Sequence, residues 1–216
     1  MLKILSLPLG PVQTNVYLVA DPRSGEAVII DPAWDGRRIL GEAQRRGWRI
    51  TSIWLTHAHF DHLAGAGEVA EGLAPMPPVA LHPGDYVLWR AKGGAGLFGF
   101  NIDPGPEPTI DLSQFTRLRL GEVEFEVRHA PGHTPGHVIF YCAQEGLAFC
   151  GDVIFQGSIG RTDLPGGDYD TLIHSIRTQI LTLPDDTRLL SGHGPETTVG
   201  EERRSNPFLF DLDGAS

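Results

Sequence analysis

Residues 54–68 read WLTHAHFDHLAGAGE and set His57, His59, Asp61 and His62 into six positions, directly after a strand-like run at 52–55. In a strand, side chains two apart share a face, so His57 and His59 can converge on one point. On a helix, residues two apart diverge, and a ligand pair would need a spacing of three or four. The strand-end reading therefore suits metal ligation. Asp61 and His62 follow where the chain turns back, and they offer a second set of donors. Imidazole and carboxylate gathered this closely point to a bound metal rather than to ordinary surface hydrogen bonds.

The rest of the composition narrows the setting. A chain of 216 residues suits one domain with a sizeable core. The formal charge of −10 argues against a nucleic-acid partner and against an anionic membrane surface. Cys142 and Cys150 are too few for a disulfide framework, and they read as free buried thiols flanking a turn at Glu145-Gly146. The opening MLKILSLPLGPVQTN is broken by Pro8 and Pro11 and lacks a small-residue cleavage site, so no signal peptide is expected. No run approaches the roughly 18 apolar residues of a membrane span. These features place the chain in the cytoplasm.

Strands are expected at 3–7, 15–19, 27–30, 52–55, 79–81, 122–128, 137–142, 147–150 and 187–190. Helices are expected at 35–46, 61–73, 83–90 and 169–181, with a last helical stretch from Glu196. The segment 92–113 is rich in Gly and Pro and has no periodicity, which marks it as a functional or mobile loop. Strands and helices mix through both halves, with no repeat, linker or charge block. One α/β domain is the reading.

Three further stretches put chemistry at strand ends. HAPGHTPGH (129–137) carries His133 and His137, but its prolines and glycines forbid a helix, and spacing alone does not say which histidine reaches a metal. FCGDVIF (149–155) places Asp152 behind Gly151, and LLSGHGPE (189–196) places His193 in the same way. Five histidines and two carboxylates exceed the three protein ligands of one catalytic zinc and suit two ions sharing a bridging carboxylate. This donor set suits zinc, iron or manganese without choosing among them, and zinc is the expectation. His82, His129 and His174 read as structural.

The string His57-Ala-His59-Phe-Asp61-His62 resembles the HxHxDH signature of the metallo-β-lactamase superfamily, and His133, Asp152 and His193 match its remaining ligand motifs in order. The resemblance runs from about residue 3 to residue 210. Within the superfamily the chain looks most like glyoxalase II, especially its small single-domain bacterial relatives, through APGHTPGH, FCGDVIF, GSIGRTDLPGGDYDTL and SGHGPETTVGEERRSNPFL. It implies an αββα sandwich of two mixed β-sheets flanked by helices, with a dinuclear site at one edge. His57, His59 and His133 would hold the first ion, Asp61, His62 and His193 the second, and Asp152 would bridge. Asp61 and Asp152 are then the catalytic carboxylates, with Asp31 and His137 supporting the ligands from behind.

The implied reaction is hydrolysis of a thioester, S-D-lactoylglutathione or a related small acyl-thiol, by water activated between the ions. A single domain over 1–216 would lack the C-terminal helical domain that supplies part of the glutathione site in full-length glyoxalase II. Arg161 matches the family's substrate-binding basic residue, although it can equally pair with Asp163. The tyrosines that help grip glutathione look replaced by Asp163 and Pro195. GRTD (160–163) also resembles the persulfide dioxygenases, which use a single iron held by the counterparts of His57, His133 and Asp152. A β-lactamase fits less well, because such enzymes use a cysteine where this chain offers Asp152. Cys150, two residues away, would share a side with Asp152 on an ideal strand. A tRNA-processing nuclease of the superfamily conflicts with the acidic charge. Oligomeric state and any closure of the 92–113 loop over substrate are left open by the sequence.

Overall fold

The computed structural model describes residues 1–210. The expectation of one domain over 1–216 thus extends to six residues outside the described ones. The first half forms β1 (Lys3–Leu9), β2 (Thr14–Ala20), β3 (Glu26–Ile30), α1 (Gly36–Arg45), β4 (Arg49–Trp54), α2 (Phe60–Leu63), α3 (Ala66–Glu71), β5 (Val79–Leu81), α4 (Tyr86–Arg90) and β6 (Ile110–Asp111). The second half forms β7 (Arg117–Leu120), β8 (Val123–His129), β9 (Val138–Cys142), β10 (Leu147–Gly151), β11 (Ile154–Phe155), β12 (Ser158–Ile159), α5 (Tyr169–Ser175), β13 (Arg188–Ser191), β14 (Thr197–Thr198) and α6 (Val199–Ser205).

Two six-stranded sheets result, in the orders β1-β2-β3-β4-β5-β6 and β14-β13-β10-β9-β8-β7, with β11 and β12 as a separate ribbon. Both sheets are mixed. β3 through β6 run parallel, as do β10 and β13, while the other neighbours are antiparallel. The inner strands are apolar on both faces, and the period of two sorts their side chains into separate layers. Tyr17, Val19, Val28, Ile30 and Trp54 meet Phe125, Val138, Phe140 and Phe149 between the sheets. Val16, Leu18, Ile29 and Ile53 face outward onto Ile39, Ala43, Leu63 and Val69. Ile139, Ala148 and Cys150 face the opposite way, onto Leu172, Ile173, Ile176 and Val199. That is the αββα sandwich. Trp54 anchors its middle layer, with its ring centroid 5.2 Å from Phe125 and 5.3 Å from Phe140.

The structure corrects several expected elements. The helix expected over 61–73 is two short helices, because the chain bends at Gly65 so that its N–H can donate to the Pro32 carbonyl at 2.8 Å. A β-carbon there would sit 3.0 Å from that oxygen, so the glycine permits the approach. The 92–113 segment contains a 3₁₀ stretch (Lys92–Phe98) and the edge strand β6, which pairs with β5. A two-residue strand is too short to leave a periodic signal. β7 was not expected, although its buried and exposed residues alternate. The 169–181 helix is α5 continued by a π-helical turn (Ile176–Ile180). The last helix starts at Val199, after β14, and Thr198 caps it by accepting from the Glu201 N–H at 3.2 Å. Cys142 and Cys150 are free and buried on opposite faces of their sheet. No described helix is long and apolar enough to cross a membrane.

Candidate metal centre

Strand direction assembles the donors. The carboxyl ends of the parallel neighbours β3 and β4 deliver Asp31 and the 57–62 loop to one edge of the first sheet. In the second sheet β8, β10 and β13 run in one direction, so His133, Asp152 and His193 leave their strands at a single edge as well. Hydrogen bonds lock the two edges together. The Tyr17 hydroxyl donates to the Ser191 carbonyl at 2.7 Å, and Asn15 Nδ2 donates to the Ser191 and Gly194 carbonyls at 3.0 and 2.9 Å. The Val138 N–H donates to the Thr56 carbonyl at 2.8 Å.

The donors fall into groups whose ligating atoms lie within 4.8 Å of one another: His57 with His59 and His133, and Asp61 with His62 and His193. Asp31, His57 and His62 satisfy the same distance test, but Asp31 is already engaged. It accepts from the Thr56 N–H and hydroxyl, both at 2.7 Å, and from His62 Nδ1 at 2.9 Å. Asp152 joins the groups. Its Oδ1 lies 3.3 Å from His62 Nε2, and its Oδ2 lies 3.6 Å from His133 Nε2 and 3.5 Å from His193 Nε2.

Hydrogen bonding decides which ring nitrogens are available. His133 Nδ1 faces the Arg161 carbonyl at 2.7 Å, an acceptor only, so this nitrogen carries the hydrogen and Nε2 keeps its lone pair, toward which His59 Nδ1 points at 2.8 Å. The Thr56 hydroxyl, donating to Asp31, accepts from His57 Nδ1 at 3.0 Å, which frees His57 Nε2. His62 Nδ1 donates to Asp31, which frees its Nε2. His57 Nε2, His62 Nε2 and Asp152 Oδ1 are buried without hydrogen-bond partners, as atoms aimed at a cation would be. His137 Nδ1 is buried without a partner as well, but its Nε2 accepts from the Asp152 N–H at 3.0 Å, so the ring hydrogen sits on Nδ1 and no free lone pair is left. That resolves the pair in HAPGHTPGH: His133 faces the centre and His137 stands behind it, stacked on His57 at 4.7 Å.

Electrostatics separates the two groups. Burial, reinforced by the neighbouring histidines, pushes His57 well below the usual imidazole range and His59 down to about 3. Burial also lowers His133, so this group is neutral and ready to ligate. For His62 burial is outweighed by the carboxylates of Asp152, Asp61 and Asp31, which raise it well above its ordinary value. His193 is lifted to about 9, as Asp152 and Asp61 outweigh burial. Asp152 is held well below the carboxylate range, since His62 and His193 overcome its burial. The acids are thus balanced by protons that a divalent cation would displace. The donor set fits two such ions.

Backbone form matters at Gly151. Its φ of +47° turns the chain out of β10, and a β-carbon there would meet His137 Nε2 at 2.7 Å. The turn coincides with a register shift between β10 and β13. It separates Cys150, buried on the helix side with its thiol donating to the Ala148 carbonyl, from Asp152, which faces the donors.

Arg161 lies at the rim, its guanidinium bound to Asp163 at 2.7 and 2.8 Å. Sequence reasoning passed over Asp85, a fully buried carboxylate that accepts from the Ala58 N–H at 2.9 Å, the Gly136 N–H at 2.6 Å and the Thr134 hydroxyl at 2.8 Å. It ties the two histidine loops together, yet in HPGDY it reads as an ordinary acid at a helix start. Thr14, whose hydroxyl donates to Asp61 at 3.1 Å, gave no signal either. His82 and His129 stack on each other at 4.2 Å, away from the donors.

The cleft over the donors measures about 410 Å³ and includes Phe60, Phe98, Phe100 and Phe155 in its walls. A larger hollow of about 610 Å³ lies beside Leu40, Trp48 and Met76, and none of the donors lines it.

Residues 9–193 match the model of the metallo-beta-lactamase superfamily. The chain is 38% identical over 204 residues to the Haemophilus influenzae protein named hydroxyacylglutathione hydrolase GloC, covering 94% of this chain and 96% of that one. It is similar to the crystal structure of the BLEG-1 B3 metallo-beta-lactamase, with a TM-score of 0.88 at 40% identity, covering 97% of this chain and 100% of that one. A third likeness is the di-iron-bound form of TTHA1623, with a TM-score of 0.85 at 42% identity, covering 95% of this chain and 100% of that one. With its donor geometry and these relatives, the chain belongs to the metallo-beta-lactamase superfamily, as a metal-dependent hydrolase.

Proposed function

We propose that this protein hydrolyses small thioesters with two divalent ions, zinc being the first candidate. The observation that carries the reading is Asp152, whose two oxygens face His62 on one side and His133 and His193 on the other. A carboxylate so placed can serve both donor groups at once. His57, His59 and His133 make the first group, and Asp61, His62 and His193 the second. Likeness to GloC supports a thioester substrate, and likeness to TTHA1623 in its di-iron form keeps iron in play.

Ions bound by these donors supply an acidic water and a Lewis acid for a carbonyl oxygen. The chain's own residues do the positioning. Asp31 fixes His62 directly and His57 through the Thr56 hydroxyl. Thr14 holds Asp61, and Asp85 holds the two histidine loops in register. Arg161, at the rim, is placed to meet an anionic group of the substrate. A departing thiolate is a good leaving group, so the absence of a strong general acid among the described cleft residues does not impede the reaction. Reaction and substrate suit a cytoplasmic enzyme.

The test is thiol release from S-D-lactoylglutathione by protein carrying two equivalents of zinc, with Asp152→Ala as control. Turnover that the substitution abolishes supports the reading, and shows that residues 1–216 suffice for a glutathione thioester. Oxygen consumption with a persulfide by the iron-loaded protein, and no thioester cleavage, would move the assignment to a dioxygenase.

A further inference from the structure

The cleft is built for an apolar guest. Phe60 lies in the chain between His59 and Asp61, and the rings of Phe98 and Phe100 stand 5.1 and 5.5 Å from its ring. Trp34 backs the group, 5.6 Å from Phe100 and 6.0 Å from Phe60. Phe98 and Phe100 remain 42% and 38% exposed, so their free faces look onto the cleft and solvent rather than into a core. Large aromatics left open beside a reaction centre indicate a binding wall.

The segment that carries these rings is seated firmly. Gly93 has φ +63°, and a β-carbon on it would lie 2.7 Å from the Ala58 carbonyl, so backbone rests on backbone at the histidine loop. Trp89 Nε1 donates to the Pro104 carbonyl at 3.1 Å, and Lys92 Nζ to Asn101 Oδ1 at 2.8 Å. The loop is thus a fixed part of the wall.

Charge assigns the ends of the substrate. Arg161 is the only Lys or Arg lining the cleft among the described residues, and Asp163 already holds it. It comes from the same short segment as Ile159 and Leu164, whereas no Lys or Arg lining the cleft comes from the segments of Phe60, Phe98 and Phe100. A thiol carrier with an anionic group belongs on the Arg161 side, and the acyl group is left to the phenylalanines. Building on the thioesterase reading, we infer that the preferred substrates carry an apolar acyl group, a medium-length aliphatic or arylalkyl chain, seated on Phe60, Phe98 and Phe100.

Two measurements test it. The first is kcat/KM of the zinc-loaded protein on N-acetylcysteamine thioesters from acetyl to hexanoyl, plus phenylacetyl. The expected gain is roughly fourfold per added methylene, from the hydrophobic transfer value, and a Phe98→Ser/Phe100→Ser double variant flattens that slope. The second is calorimetry on metal-free protein with analogues in which a methylene separates sulfur from carbonyl. The hexanoyl analogue is expected to bind more tightly than the acetyl one, with a negative heat-capacity change. Turnover with a flat or falling chain-length series overturns the acyl assignment and leaves the thioesterase reading standing. Ranked analogue binding without hydrolysis of any thioester keeps the apolar site and removes the thioesterase reading. Equal binding of long and short analogues overturns the site itself.

Discussion

Asp31 Oδ2 stands 2.9 Å from His62 Nδ1, and the same oxygen accepts from the Thr56 hydroxyl that bonds His57. One carboxylate therefore sets the orientation of a histidine in each donor group. Outer partners of this kind raise ligand basicity and fix the tautomer. Asp31→Asn is expected to weaken divalent-ion affinity by roughly 10- to 100-fold. A zinc titration against a chromophoric chelator reads this directly, and an unchanged affinity would show that Thr56 and packing suffice.

Asp85 satisfies three donors from the two histidine loops while buried. Burial raises its pKa despite those hydrogen bonds. Asp85→Ala leaves two main-chain N–H groups and a hydroxyl unpaired, and it is expected to destabilise the fold by about 2–4 kcal/mol. Urea unfolding of the two proteins at neutral pH is the check, and a loss below half a kcal/mol would contradict it.

Gly192 follows the end of β13, beside the centre. A β-carbon on it would run into Asp152 Oδ1 and come 2.6 Å from His62 Cε1. Gly192→Ala should thus displace the Asp152 carboxylate while leaving the sheets intact. Metal content near two equivalents together with full activity would defeat this expectation. Native-like circular dichroism with reduced metal content would support it.

His82 gives a pH signature away from the metal donors. Burial first, then the stacked His129, pulls it down to about 4, against a smaller opposing pull from Asp111. Between pH 6.5 and 4 the unfolded chain binds a proton there that the folded chain refuses, so stability falls as pH falls through this window. The group is half exposed, and solvent screening reduces its share to about 1 kcal/mol. His82→Asn keeps an acceptor for the Gly84 N–H and should flatten this part of the profile. Urea midpoints at pH 7 and 4.5 decide, and identical pH dependence in both proteins dismisses the assignment.

The candidate metal donors were legible because their information is local. His57 and His59 share a face by strand alternation, and Asp152 and His193 each follow a glycine at the end of an apolar run. The structure places every one of them at the shared sheet edge. The partners lying far away in sequence were not legible. Asp85 reaches Gly136 across 51 positions, and Asn15 reaches Ser191 across 176, and neither carries a motif. Cys150 was ambiguous for a different reason. On an ideal strand it would share a side with Asp152, and only the positive φ of Gly151 and the register shift beside it break that alternation. The bend at Gly65 depends likewise on a carbonyl supplied by Pro32, which a helical pattern read in isolation does not contain.

The donors are divided between the two sheets: His57, His59, Asp61 and His62 come with the first, and His133, Asp152 and His193 with the second. An ion held from both sides acts as a clasp, adding free energy that grows with the logarithm of free-metal concentration over Kd. A marginal domain converts such increments into abundance, because cellular proteases remove whatever opens. Metal supply would then govern how long each copy of this protein survives as well as how fast it works.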